Sequence, residues 1–113
     1  MPLGAAQSPL LVLTTFPERT AAEALARELL AARLAACIQI GATVHSLYHW
    51  RDEIETAEET PVSIKTRVDL YPRLEAAIRA RHPYELPEIV AVPITHGLSA
   101  YLDWIAAETA PAE

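Results

Sequence analysis

The stretch spanning residues 34–66 constrains the fold more than any other part of the chain. It runs LAACIQIGATVHSLYHW, turns at Arg51-Asp52 and returns as EIETAEETPVSIKT. Both arms are rich in β-branched and aromatic residues and neither keeps a helical period, so the pattern predicts a long antiparallel hairpin. Fully extended, the outgoing arm from Cys37 to Trp50 would reach roughly 45 Å. A compact chain of 113 residues has a diameter of only about 35 Å. A hairpin of that length must bend, protrude or lie on another subunit.

The rest of the chain supplies the body. The continuous apolar run from Leu10 to Phe16, stopped by Pro17, reads as a strand buried on both faces. Thr20 and Glu23 have capping-box spacing ahead of Ala22, Leu25, Ala26, Leu29 and Leu30, which predicts a helix to about Leu34 with a Glu23–Arg27 pair outside. In the hairpin, Gly41 marks a bulge or bend, and Pro61 a break or an edge. Val44, Ser46, Tyr48 and Trp50 share one face, and His45, Leu47 and His49 the other. Asp69 is placed to cap a second helix carrying Leu70, Leu74 and Ile78, which must end near His82 because Pro83 follows. Residues 88–95 then read as a buried strand, with Pro93 hinting at an edge or a bulge. Ser99 would cap a last helix bearing Tyr101, Trp104 and Ile105. The order predicts an α+β fold: a ferredoxin-like βαββαβ sandwich with an extra C-terminal helix and the long β-hairpin. One domain occupies residues 10–107, with disordered tails at 1–9 and 108–113.

Composition removes several functions. The formal charge is −6 and the nine basic residues are dispersed, so neither nucleic acid nor an anionic membrane is an expected partner. No apolar run is long enough to span a bilayer. The N-terminal segment lacks the basic and apolar regions of a signal peptide. The single cysteine, Cys37, excludes an intramolecular disulfide and suits a reducing cytoplasm, the expected location. There is no Gly-rich phosphate loop, nucleophile elbow or HExxH helix, and no enzyme is expected.

Five fragments taken together, Leu34-Ala-Ala-Cys37, Ser46-x-Tyr48-x-Trp50, Ile64-Lys65-Thr66, His82-Pro83-Tyr84-Glu85-x-Pro87-Glu88 and Tyr101-x-x-Trp104, resemble the CutA divalent-cation tolerance proteins. The resemblance runs from about Leu10 to Ile105 in the right order. It implies a ferredoxin-like protomer, a tightly packed and stable homotrimer joined through strands, and a link to copper and other divalent metals. No cofactor is required on this reading; copper or another divalent ion is the implied ligand. The trimer agrees with the hairpin argument made independently above. A neighbouring subunit would bury Tyr48 and Trp50 for a few kcal/mol each and cover strand edges.

For metal, the resemblance points to His82, with Cys37 as a softer ligand. Metal ligation in the family is associated with the motif histidine, an adjacent histidine and a cysteine of the first strand. Here Arg81 and Thr14 occupy the latter two positions. Each candidate has a plainer reading as well: His82 as a hydrogen-bonded helix end, and Cys37 as a small buried hydrophobe. His45 and His49 lie roughly 13 Å apart along one strand face and cannot share an ion unaided. A second constellation, the lone lysine Lys65 with Glu58, Glu85 and Glu88, framed by Tyr48, Trp50, Tyr84 and Trp104, would line a cleft between protomers for a small anion or metabolite. Its alternative is an ion-pair network that fixes subunit register. The competing functional class is a signalling or scaffold trimer of the PII type with ligands in its inter-subunit clefts, an analogy of architecture alone. An assembly or anchoring protein is a third.

Overall fold

In the computed structural model, which describes residues 7–109, the first apolar run becomes strand β1, Pro9–Phe16. Its even-numbered side chains, Leu10, Val12, Thr14 and Phe16, are buried. They stand in register with Thr66, Ile64, Val62 and Thr60 of strand β4, Glu53–Arg67. Alternation puts all of them on one face of the sheet. Helix α1, Arg19–Ala31, covers that face with Ala22, Leu25, Ala26 and Leu29, and helix α2, Tyr71–Arg81, adds Leu74 and Ile78. These side chains form the core, each large one contributing roughly 1.5–3 kcal/mol by burial.

The ends of the helices depart from the expected caps. The chain becomes helical as soon as it clears Pro17, so Thr20 already lies inside α1 and the cap position is Glu18, without a side-chain bond. The outer ion pair is Arg19–Glu23 at 3.7 Å rather than Glu23–Arg27. Helix α1 stops three residues short of Leu34. Arg33 adopts a left-handed φ of 58°, its amide donates to the Leu30 carbonyl, and the Leu34 amide donates to the Leu29 carbonyl. This is a Schellman ending built on arginine instead of glycine, with Leu34 folded onto Leu29 in the core. Before α2, a 3₁₀ turn at Val68–Leu70 intervenes. Asp69 caps nothing there: it accepts from Nε of the nearly buried Arg67 at 2.9 Å, a charge that needs a partner once it leaves water. Similarly, Ser99 is the first residue of helix α3, Ser99–Glu108, and not its cap.

The hairpin is one continuous strand, β4, facing two shorter ones, β2 at Cys37–Ile40 and β3 at Val44–Trp50. The break between them falls at Gly41, whose amide donates to the Pro61 carbonyl at 2.9 Å. A Cβ at Gly41 would stand 3.0 Å from Cγ of Pro61, so the glycine makes room for the proline ring. The tip turns through Arg51 and Asp52, both at positive φ (50° and 65°), between the paired residues Trp50 and Glu53. Positive φ at both central residues is the mark of a two-residue I′ turn. Beyond Pro61 the hairpin leaves the body, and the molecule measures 49 × 26 × 23 Å.

The sheet is antiparallel throughout, in the order β2–β4–β1–β5, with β3 alongside the distal half of β4. Strand β5, Ile89–Pro93, is shorter than expected and is not buried: Val90 and Val92 are nearly half exposed, because β5 pairs with β1 only and forms an edge. In α3, Ile105 is buried, while Tyr101 and Trp104 stack at 5.5 Å and remain over a third exposed. Pro9 opens β1, Glu108 ends α3 and Thr109 is fully buried, so these three belong to the domain rather than to tails. Ser8 of the expected tail is also tied down, its carbonyl accepting the Val68 amide at 2.9 Å, and residues 1–6 and 110–113 lie outside the described residues. No helix among the described residues is long and apolar enough to cross a membrane.

Candidate functional site

Helix α2 ends at His82, whose extended backbone (φ −78°, ψ 132°) follows from the proline after it. The imidazole is held at both nitrogens. Nε2–H donates to the Thr15 carbonyl at 2.6 Å, and Nδ1 accepts the Tyr84 amide at 3.2 Å. That pattern defines a neutral ring protonated at Nε2. The ring packs on Phe16 at 4.4 Å and Tyr84 at 4.9 Å. From Thr15 the chain of bonds continues: its hydroxyl donates to Glu59 Oε2 at 3.1 Å, a carboxylate close enough to act on the Tyr84 phenol. Burial, followed by the Glu59 charge, raises the Tyr84 phenol above its ordinary 10.0. Thr15 and the His82 ring thus tie Glu59 of β4 to β1 and to the segment after α2.

Above these residues lies a cleft of about 630 Å³. The hairpin supplies one wall with Tyr48, Trp50, Glu55 and Glu59, and residues 83–88 supply the other with Tyr84, Leu86, Glu85 and Glu88. Register explains the first wall: Tyr48 pairs with Glu55 and Trp50 with Glu53, so these alternate positions share a face with Glu59. At the mouth, Arg51 reaches Glu85 at 3.8 Å and lies 5.4 Å from the centre of the Trp50 ring. Four carboxylates outnumber this guanidinium and the His49 imidazole that also lines the cleft, and give it a negative field.

The expected constellation is therefore divided. Tyr48, Trp50, Tyr84, Glu85 and Glu88 do converge. Lys65 does not join them: it sits opposite Cys37 near the far end of β4, where Nζ donates to Gln39 Oε1 at 3.3 Å and to the Tyr101 hydroxyl at 3.4 Å. Trp104 belongs to that second cluster through its stacking on Tyr101. Glu58 lies on the back of the hairpin with His45, their Nδ1–Oε1 distance being 3.3 Å. The carboxylate that faces the cleft is its neighbour Glu59. In a two-faced strand the doublet Glu58-Glu59 must point one carboxylate each way, and only the register at the Pro61 break decides which one is buried. Thr15 went unmarked for the same reason.

As a metal centre the expected residues do not fit together. His82 has committed both nitrogens. Cys37 is a partly exposed free thiol paired with Lys65, four residues along β4 from the Pro61 that faces Thr15, or roughly 13 Å away. Thr14 points into the core, away from any ion in the cleft. Among the described residues no three His, Cys, Asp or Glu side chains converge as an ion would require.

Compared with known proteins, residues 10–108 match the family model described as CutA1 divalent ion tolerance protein. The divalent-cation tolerance protein CutA of Thermus thermophilus is 40% identical over 98 residues, covering 87% of this chain and 95% of the relative. The crystal structure of the stable protein CutA1 from the psychrotrophic Shewanella sp. SIB1 superposes with a TM-score of 0.87 at 42% identity, covering 89% of this chain and 94% of the other. The periplasmic divalent cation tolerance protein CutA of Archaeoglobus fulgidus superposes with a TM-score of 0.86 at 35% identity, covering 89% and 98%.

Proposed function

This chain belongs to the CutA1 divalent ion tolerance family, and from that premise we propose that it is a non-catalytic, cytoplasmic homotrimer of ferredoxin-like protomers that serves cation tolerance through its hairpin cleft. The observation that carries the assembly is the back of the hairpin. Leu47 and Ile54, 65% and 69% exposed, share the face turned away from the cleft, and Val90 and Val92 lie bare on the edge strand β5. Apolar groups on a projecting arm and on an unpaired edge are the two surfaces that a ring of identical subunits would cover. Three-fold closure of this kind favours high thermal stability. The single thiol accords with a reducing compartment. A binding role suits a site in which the His82 imidazole is fixed by two structural hydrogen bonds and has no nitrogen left to act as a base.

Copper or another divalent ion then acts without a preformed chelate at His82 and Cys37. Isothermal titration of copper and zinc into the wild type and a His82→Ala variant tests this, and matching isotherms are expected. Loss of a tight site in the variant would restore His82 as a ligand. The signalling or scaffold reading of the same trimer gains support from the cleft itself, whose aromatic and acidic walls are the architecture of a small-molecule site.

A further inference from the structure

The geometry points to a small organic ammonium ion, a methylated or polyamine-type cation, as the ligand class of the hairpin cleft. This inference rests on the cleft reading above and assigns its chemistry. The first observation is Glu59. The residue is 8% exposed, yet its hydrogen-bond partner is a neutral hydroxyl, that of Thr15. Among the described residues no lysine, arginine or histidine pairs with it. A carboxylate removed from water calls for a positive partner in direct contact, and neither Arg51 at the mouth nor His49 in the lining forms an ion pair with Glu59.

The second observation is the wall. Tyr48 and Trp50 stand on the hairpin side of the cleft and Tyr84 on the other. Aromatic faces attract ammonium and guanidinium groups, most strongly where water is excluded. Arg51 already lies 5.4 Å from the Trp50 centroid while bound only loosely to Glu85, with both side chains more than three-quarters exposed. That ring is therefore open to a cation. Size and donor set separate an organic cation from a metal ion. The cleft holds about 630 Å³, many times the volume of a bare ion, and its carboxylates do not converge on one point. An anion is disfavoured by Glu55, Glu59, Glu85 and Glu88 together.

The test uses the full chain with Trp104→Phe, which removes the tryptophan stacked on Tyr101 and leaves Trp50 as the fluorescent reporter. Tetramethylammonium chloride and spermidine are titrated at constant ionic strength against sodium chloride, sodium glutamate and zinc chloride. A saturable change in Trp50 emission with either amine, and none with sodium or glutamate, is expected. Glu59→Gln should weaken that response at least tenfold. Tyr48→Leu, at a half-exposed wall position where folding is not at stake, should weaken it severalfold. No saturable response by ~10 mM amine, or a response to zinc or glutamate in place of the amines, overturns the proposal, as does an amine response that Tyr48→Leu leaves unchanged. Sedimentation of the same samples keeps the two readings apart. Trimers that ignore amines overturn the ligand class alone, whereas monomers overturn the assembly.

Discussion

Thr14 carries the one buried side-chain oxygen among the described residues without a hydrogen-bond partner. It is 2% exposed on the core face of β1, opposite Val62. An orphaned buried hydroxyl costs about 1–3 kcal/mol, and an isosteric apolar group removes that penalty. Thr14→Val should therefore raise the melting temperature by a few degrees at matched protein concentration, measured by circular dichroism; a fall would mean that the hydroxyl has a partner in the assembly. Two phenols make a second residue-scale prediction. Burial raises both Tyr71 and Tyr84 above 10.0, with Glu75 adding to the first and Glu59 to the second. The folded state then holds protons that the unfolded chain has released. The stability these groups contribute is complete below pH 10 and is lost as pH rises through their folded values. Tyrosinate absorbance should show two late-titrating phenols, one of them missing in Tyr84→Phe; a profile with no late-titrating phenol would refute this.

Among the elements, the hairpin was the most legible in sequence, because two arms of β-branched and aromatic residues admit few other readings and Gly41 with Pro61 flagged the break. Its tip is where local chemistry and observed geometry disagree. A turn with both central φ values positive favours Asn-Gly, whereas the chain has Arg51-Asp52. Replacing the pair by Asn-Gly should stabilise the protein by about 0.5–1 kcal/mol, read as a higher urea midpoint; a lower midpoint would show that Arg51 and its contacts to Glu85 and Trp50 outweigh the strain. The helix termini were less legible. Arg33 ends α1 in a left-handed conformation that sequence patterns assign to glycine, and its guanidinium is fastened to the Glu108 carbonyl at 3.1 Å, a contact across 75 residues that no local pattern encodes. Asp69 reads as a cap until the buried Arg67 claims it. In the site, the segment His82–Pro83–Tyr84 was visible as a motif, but its partners Thr15 and Glu59 come from strands whose facing depends on long-range register. Lys65 takes its place along β4 from pairing with Cys37, which within one protomer sets it apart from the cleft.

For the molecule as a whole, shape and surface lead to one conclusion. A body with its core under α1 and α2 carries an arm that extends it to 49 Å, and the back of that arm exposes Leu47 and Ile54 among polar neighbours. Each Leu or Ile buried between subunits would contribute roughly 1.5–3 kcal/mol, repeated three times in a closed ring. A charge at such a position, introduced by Ile54→Glu, should disrupt the ring without touching the core. Sedimentation velocity of the wild type at micromolar concentration, run beside this variant, addresses the assembly most directly. The account predicts one wild-type species with the mass of three 12.4 kDa chains and a shift toward monomer for Ile54→Glu. A wild-type species of single-chain mass would contradict it.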